Sequence, residues 1–373
     1  MNKLSLAGAV LAAGLALGGS AQAQIKLGVG GPMTGPAASY GLQAKAGAEM
    51  AVKDINAKGG VLGQKIEISV GDDQADPKQS VSVANKFVGD GVTWVVGHVT
   101  SGGAIAASDV YADNNIINVT PSASSEKLTD RGLWNTFRTC GRDDQQSKVW
   151  ADYVLAHFKD KKIAIAHDKQ TYGEGLAKGA KKYLNDAGVK EVLYEGANAG
   201  EKDYSGLVTK LKSSGADVLL WGGYYTEGAL ILKQLRDQGG KTIMMGADGL
   251  NSPEFATIGG DAVVSTLMTF APKVEDIPAN ADLVKRFREG GTDPAGFTLL
   301  AYAGVQVLAQ AAEEAKSTDP QKIAEVMHSG KKFQTVIGEI SYDKKGDLAQ
   351  PAYAIYTWKK AADGKIAAEQ NPS

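Results

Sequence analysis

The stretch TWVVGHVTSGGAIAASDVYADNNIINVTPSASS, residues 93–125, limits the possible folds more than any other part of the chain. It reads as a buried strand over 93–97, a glycine- and hydroxyl-rich loop, a helix, a second strand over 116–119 and another hydroxyl-rich loop. Two apolar strands joined through a helix belong side by side and parallel in one sheet. Ser101 stands where a helix N-cap is expected, and the Gly102 and Gly103 that follow leave the backbone bare for a ligand. A helix start offers free N–H groups and the positive end of the dipole, so a small anion can sit there without Lys or Arg. Thr120, Ser122, Ala123 and Ser124 bring further donors to the neighbouring strand end. Either loop alone is an ordinary capped loop; together they outline a carboxylate-sized cradle.

The same rhythm runs through the rest of the chain. An apolar strand over 25–31 leads to a helix with Ala48, Ala51, Val52 and Ile55 on one face, stopped at Gly59 and Gly60. A strand over 65–70 ends at Asp72 and Asp73, and Asp76 with Pro77 opens a helix to about Val88. After a connecting region over 137–144, strands over 163–167, 191–195, 217–222 and 242–246 alternate with helices over 174–186, 204–213 and 227–238. The expected fold is α/β: two doubly wound parallel-sheet lobes joined by several crossovers and hence a hinge. The remainder, with a long helix over 298–316, a shorter one over 321–328 and strand-like runs over 338–342 and 353–358, is too small for a third lobe. It is expected to return to the first lobe and then add a piece to the second. The expected division is 24–142 with 272–350 for one lobe and 143–271 with 351–373 for the other.

The first 23 residues carry one early cation (Lys3), an apolar run from Leu4 to about Leu17 and Ala21-Gln22-Ala23. That is the pattern of a secretory signal peptide with an A-x-A cleavage site, and the expected location is a bacterial periplasm. A formal charge of −2 argues against nucleic acid or an anionic membrane surface as partner. The single cysteine, Cys140, cannot form an intrachain disulfide, so the core must supply the stability.

In open α/β sheets ligands sit outside the carboxyl ends of the strands. In the second half those ends carry Asp248 and the aromatics Tyr172 and Tyr224. Facing the hydroxyl cradle, they would hold a zwitterion by both poles, with the aromatic faces adding cation–π attraction. Taken singly, Asp248 also suits a turn before Gly249, and the tyrosines suit a core. Enzyme chemistry is thinly supported. The four histidines have no metal-ligand spacing, and HExxH, CxxC, Walker A and G-x-S-x-G are all missing. His98 and His167 each end a strand and could pair in a secreted enzyme, but a packed or hydrogen-bonded histidine is the plainer expectation. Asp72 and Asp73 read as a solvated strand end.

The segments YGLQAKAGAEMAVKDINAKGGVLGQKI, DDQADPKQSVSVANKFVGDGVTWVVGHVTS, TPSAS, HDKQTYGEGLA, GEKDYSGLV and DKKGDL closely resemble the periplasmic Leu/Ile/Val-binding proteins of ABC importers. The resemblance covers essentially the whole chain after residue 23. It implies a non-enzymatic, monomeric receptor that needs no cofactor. Its two doubly wound parallel-sheet lobes, joined by a three-strand hinge, close on one amino acid and present it to an inner-membrane ABC permease. By motif, Ser101 and Ser124 would bind the α-carboxylate, with Ser122 and Ala123 alongside through the backbone. Tyr172 and Asp248 would hold the ammonium, and Tyr40, Val99, Thr100, Tyr224 and Phe297 would border the side chain. Three departures stand out. Ala75 and Thr100 lie where better-known members have a disulfide, Asp248 replaces a Glu, and Ser124 replaces a Thr. Related receptors prefer alanine, proline or γ-aminobutyrate, and the same fold also serves sensory modules.

Overall fold

The computed structural model describes residues 24–372; the expected signal peptide over 1–23 lies outside the described residues, as does Ser373. Strands β1 (Ile25–Gly31), β2 (Ile66–Asp72), β3 (Trp94–Val96), β4 (Ile117–Thr120) and β5 (Thr136–Arg138) form a parallel sheet in the order β2-β1-β3-β4-β5. They alternate with α1 (Ala38–Ala57), α2 (Pro77–Gly89), α3 (Ser101–Asp113) and the single turn α4 (Glu126–Thr129). Both faces of the sheet are covered, which is why its strands read as unbroken apolar runs. Trp94 and Val96 point into the cluster that includes Ala44 and Ala48 of α1. Val95, between them, joins Phe87 of α2 and Ala107 and Tyr111 of α3 on the other face. Asp76 caps α2, accepting from the Lys78 and Gln79 amides at 2.7 and 3.1 Å, with Pro77 in the first turn as expected.

The second sheet follows from α5 (Asp143–His157), β6 (Ile163–His167), α6 (Thr171–Asp186), β7 (Leu193–Gly196), α7 (Ser205–Ser214), β8 (Val218–Gly222), α8 (Tyr225–Asp237), β9 (Ile243–Gly246), α9 (Pro253–Gly259) and β10 (Leu267–Phe270). The chain then forms α10 (Ala281–Glu289), α11 (Phe297–Ala315), α12 (Pro320–His328) and a small hairpin, β11 (Phe333–Thr335) with β12 (Gly338–Ile340). It ends in β13 (Ala354–Lys360) and β14 (Ile366–Gln370). The sheet order is β14-β13-β10-β9-β8-β6-β7. Strands β6 to β10 are parallel, but β13 and β14 pair antiparallel at one edge. A strand that arrives directly, without a crossover helix, comes in from the opposite direction. The expected connecting region over 137–144 holds β5 and the start of α5, whose first turn carries Asp143 and Asp144.

The chain passes between the sheets three times: from β5 to α5, from β10 to α10, and from the β11–β12 hairpin to β13. Helix α11 lies against α1, β3 and β4, so the segment after the second passage belongs beside the first sheet. In each sheet strand order reverses at one place, between β1 and β3 and between β6 and β8. Those reversals open the crevices in which ligands of such sheets are held.

Helices α1 and α11 cross at Gly47, where a Cβ would lie 1.9 Å from the Thr298 carbonyl oxygen. By helix propensity alone Gly47→Ala would stabilise α1 by up to about 1 kcal/mol. Because the added methyl must push two helices apart, the substitution is expected instead to cost about 1–3 kcal/mol in urea unfolding. A raised unfolding midpoint would contradict this crossing.

Candidate functional site

The first wall is built from the carboxyl ends of β3 and β4. Ser101 is the first residue of α3, not its cap. Thr100 occupies the cap position with extended backbone, and its hydroxyl accepts from the Gly103 amide at 3.4 Å. Ser101 Oγ accepts from the Ser125 amide at 3.2 Å, so it ties the two loops together and keeps its own proton to donate. Ser122 Oγ donates to the Val99 carbonyl at 2.7 Å, and Thr120 Oγ1 donates to the His98 carbonyl at 2.7 Å and accepts from the Ala123 amide at 3.0 Å. Ser124 is fully buried, and its hydroxyl has no hydrogen-bond partner among the described residues.

Beneath this wall His98 is fully buried. Its Nδ1 lies 2.5 Å from Asp73 Oδ2 and its Nε2 2.8 Å from the Tyr111 hydroxyl. Asp73 is therefore not a solvated strand end: it is buried, and it also accepts from Ser80 Oγ and the Ala75 amide. Asp72 organises the loop after β1, accepting from the Met33 amide and the Thr34 hydroxyl. Both ring nitrogens of His98 are engaged, and His167 lies in the other sheet, where its Nδ1 accepts from the Lys169 amide. The conceivable histidine pair is not formed.

The second wall comes from the ends of β6, β8 and β9. Tyr172, in the first turn of α6, donates to Asp248 Oδ1 at 2.5 Å and accepts from the Gly249 amide at 2.9 Å. Tyr224 stacks on Tyr172 with ring centroids 5.2 Å apart and planes 15° apart. Asp248 begins a one-turn 3-10 helix and is 6% exposed. Burial pushes its carboxyl up to about 6, and only the Tyr172 hydroxyl and nearby backbone amides oppose that push. Gly249 has to be glycine, since a Cβ there would meet the Gly223 carbonyl oxygen at 2.5 Å and the Tyr172 ring at 2.8 Å.

Tyr40 of α1 and Phe297, the first residue of α11, come from the first-sheet side and close the space between the walls. Their rings meet edge to face at 5.5 Å, and the Tyr40 hydroxyl donates across the cleft to the Gly249 carbonyl at 2.5 Å. Tyr40, Val99, Ser101, Ser122, Tyr172, Tyr224, Asp248 and Phe297 line one cavity together with Gly249, which sequence reasoning left out. Its volume, about 20 Å³ of room for water centres, suits roughly one water molecule. Ala123 and Ser124 stand behind this surface. Thr100 lines instead a neighbouring cavity of about 200 Å³ at the mouth of the cleft, separated from the first by Tyr224.

This arrangement offers neutral donors on one side and a carboxylate on the other, with aromatic faces between. The family model for periplasmic binding proteins matches residues 24–365. A Leu/Ile/Val-binding protein homolog 1 of Brucella melitensis is 53% identical over 365 residues, covering 98% of each chain. Among solved structures, the branched-chain amino acid substrate-binding protein LivJ of Streptococcus pneumoniae, in complex with isoleucine, superposes with a TM-score of 0.83 at 28% identity over 94% of this chain and 99% of that one. The leucine-binding protein LivK of Thermotoga maritima does so with a TM-score of 0.84 at 26% identity over 93% and 99%.

The raised carboxyl of Asp248 has a consequence for stability. In the unfolded chain it ionises near 4, but in the ligand-free folded state only near 6, so folding stability falls as pH rises through that interval. Asp248→Asn cannot ionise and escapes this loss. In urea unfolding of ligand-free protein, the variant is expected to gain on the wild type by up to about 3 kcal/mol between pH 4 and 7, with no further gain above. A difference constant with pH would show that Asp248 ionises without strain.

Proposed function

The chain belongs to the periplasmic binding protein family, and on that premise we propose that it captures leucine, isoleucine or valine by hinge closure and delivers it to an inner-membrane ABC permease. The observation that carries this reading is the opposition of Ser101 and Asp248 across one interlobe cavity, which matches the two poles of a free amino acid. Ser101 and Ser124 donate to the α-carboxylate at the start of α3, helped by the positive end of that helix and by the backbone of Ser122 and Ala123. Asp248 receives the ammonium, Tyr172 orients that carboxylate, and Tyr224 covers it. Tyr40, Val99 and Phe297 border the side chain, with Thr100 at the outer limit of its compartment.

The lobes comprise 24–142 with 272–350, and 143–271 with 351–373. Residues 1–23 direct export to the periplasm, where the receptor acts as a monomer. A cavity with room for about one water does not admit leucine until the lobes part or Tyr224 turns toward the neighbouring cavity. Binding therefore selects among open and closed states. No bond is made or broken in the cycle, and no cofactor is needed.

A second reading keeps the mechanism and changes the ligand to alanine, proline or γ-aminobutyrate. The small cavity favours it, as does the acid at position 248, one methylene shorter than the familiar glutamate. Calorimetry with leucine, isoleucine, valine, alanine, proline and γ-aminobutyrate separates the two readings. The first expects micromolar or tighter binding of the branched-chain set, about −8 kcal/mol or better. Asp248→Ala is expected to weaken the preferred amino acid by about 2–5 kcal/mol, because the ammonium is left buried without its partner. An unchanged affinity would remove Asp248 from the site.

A further inference from the structure

A larger cavity lies behind the site, at the hinge, and nothing in the reading above uses it. Its volume is about 260 Å³, against about 20 Å³ for the cavity that holds Ser101. All three passages between the sheets contribute to its wall: Cys140 from the first, Ala271 from the second, and the stretch over 350–353 from the third. Val274, Leu300, Ile340 and Leu348 make the lining mostly apolar, and Lys273 and Gln350 are among its exposed members. The passages are tied at this spacing. The Tyr353 hydroxyl donates to the Arg142 carbonyl at 3.0 Å, and Thr139 Oγ1 donates to the Leu300 carbonyl at 2.9 Å.

Asp248 and Phe297 line both cavities and so form the partition between them. The Asp248 charge is felt on the hinge side. Burial pushes the Cys140 thiol and the Tyr353 hydroxyl up, and the Asp248 carboxylate adds to the push on each. The other charges on this wall already have partners: Lys273 lies 3.1 Å from Asp276, and Glu339 lies 2.7 Å from Lys332. Asp248 is the buried acid of the lining, and it has no ion pair among the described residues. The donors that would receive a carboxylate, Ser101 and Ser124, stand beyond the partition. An apolar space with one buried acid at its inner end suits a molecule with a cationic head, an apolar body and no carboxylate.

We propose that this hinge cavity binds small apolar primary amines, with the ammonium on Asp248 and the carbon chain among the three passages, and that such an amine displaces the amino acid. The binding site stands on its own geometry; only the displacement rests on the amino-acid reading above. The carboxylate of Asp248 already accepts from the Tyr172 hydroxyl on Oδ1, so it has one place left for an ammonium. An amine on the hinge side therefore competes with an amino acid on the other side, although their carbon chains occupy different cavities.

The test is thermal melting and titration calorimetry of the full chain at pH 7 with hexylamine and phenethylamine, and with hexanol as the neutral counterpart. Both amines are expected to raise the melting temperature of the ligand-free protein, and hexanol is expected to bind at least tenfold more weakly than hexylamine. The apparent Kd for leucine is expected to rise in proportion to the amine concentration. Ala352→Trp, at an exposed position on the third passage, puts an indole over the hinge cavity and is expected to weaken hexylamine at least tenfold. A crystal structure of the phenethylamine complex locates the ring independently of any variant, and it is expected beside Leu300 and Ile340. The proposal is overturned by equal affinities for hexylamine and hexanol, by an unchanged Kd for leucine in saturating amine, by hexylamine binding within twofold of wild type in Ala352→Trp, or by a ring seated beside Tyr40. The two readings fail separately. A wild type that binds leucine but neither amine refutes the hinge site alone, while one that binds the amines but no amino acid refutes the amino-acid reading and leaves the hinge site standing.

Discussion

One buried carboxylate without a matching cation sets the terms for the rest of this structure. Asp248 sits at the end of β9 with a tyrosine hydroxyl and backbone amides for company, and burial holds its carboxyl up near 6. A fold keeps such a group at a cost of a few kcal/mol unless something arrives to pair with it. The opposing wall is its electrical complement: it carries no charge at its surface, only hydroxyls and the start of α3. The two walls are satisfied together only by a molecule with an anionic end and a cationic end a few bonds apart, and only when the walls are close. In the proposed cycle, closure and recognition would be one event.

The sheets make this geometry inexpensive to build. Parallel strands in register bring the ends of β3 and β4 side by side, and likewise the ends of β6, β8 and β9. Each sheet's strand order reverses beside those ends, so loops that diverge to opposite faces leave a crevice between them. Glycine fixes how tightly the parts meet. Gly249 lets Tyr172 lie against the Asp248 turn, and Gly47 lets α11 approach α1 so that Phe297 reaches Tyr40. Three passages of the chain between the sheets are the covalent links that join the walls.

Much of this was legible in the sequence because it is local. Runs such as Trp94–Val96 and Ile163–His167 are bounded by glycine or polar residues, and the intervening helices repeat at the helical period, so the α/β alternation and the strand-end loops follow directly. Eight positions named from those loops and their resemblance to a known family, Tyr40 and Asp248 among them, do share one cavity. What failed depends on single-residue frames or distant partners. Thr100 rather than Ser101 caps α3, a shift of one residue that local composition does not resolve. Asp73 looked like a solvated strand end, and its burial follows from His98, 25 positions away. The antiparallel edge of the second sheet reflects the direction in which β13 returns, which no local pattern records.

The central claim is that the amino group of the ligand, meeting a buried acid across the cleft, holds the closed state together. The most direct measurement compares the affinity of the wild type for leucine and for 4-methylpentanoate, which keeps the carboxylate and the branched chain and lacks only the amine. The account predicts that leucine binds at least about a hundredfold more tightly, a difference of about 2.7 kcal/mol. Equal affinities for the two would contradict it.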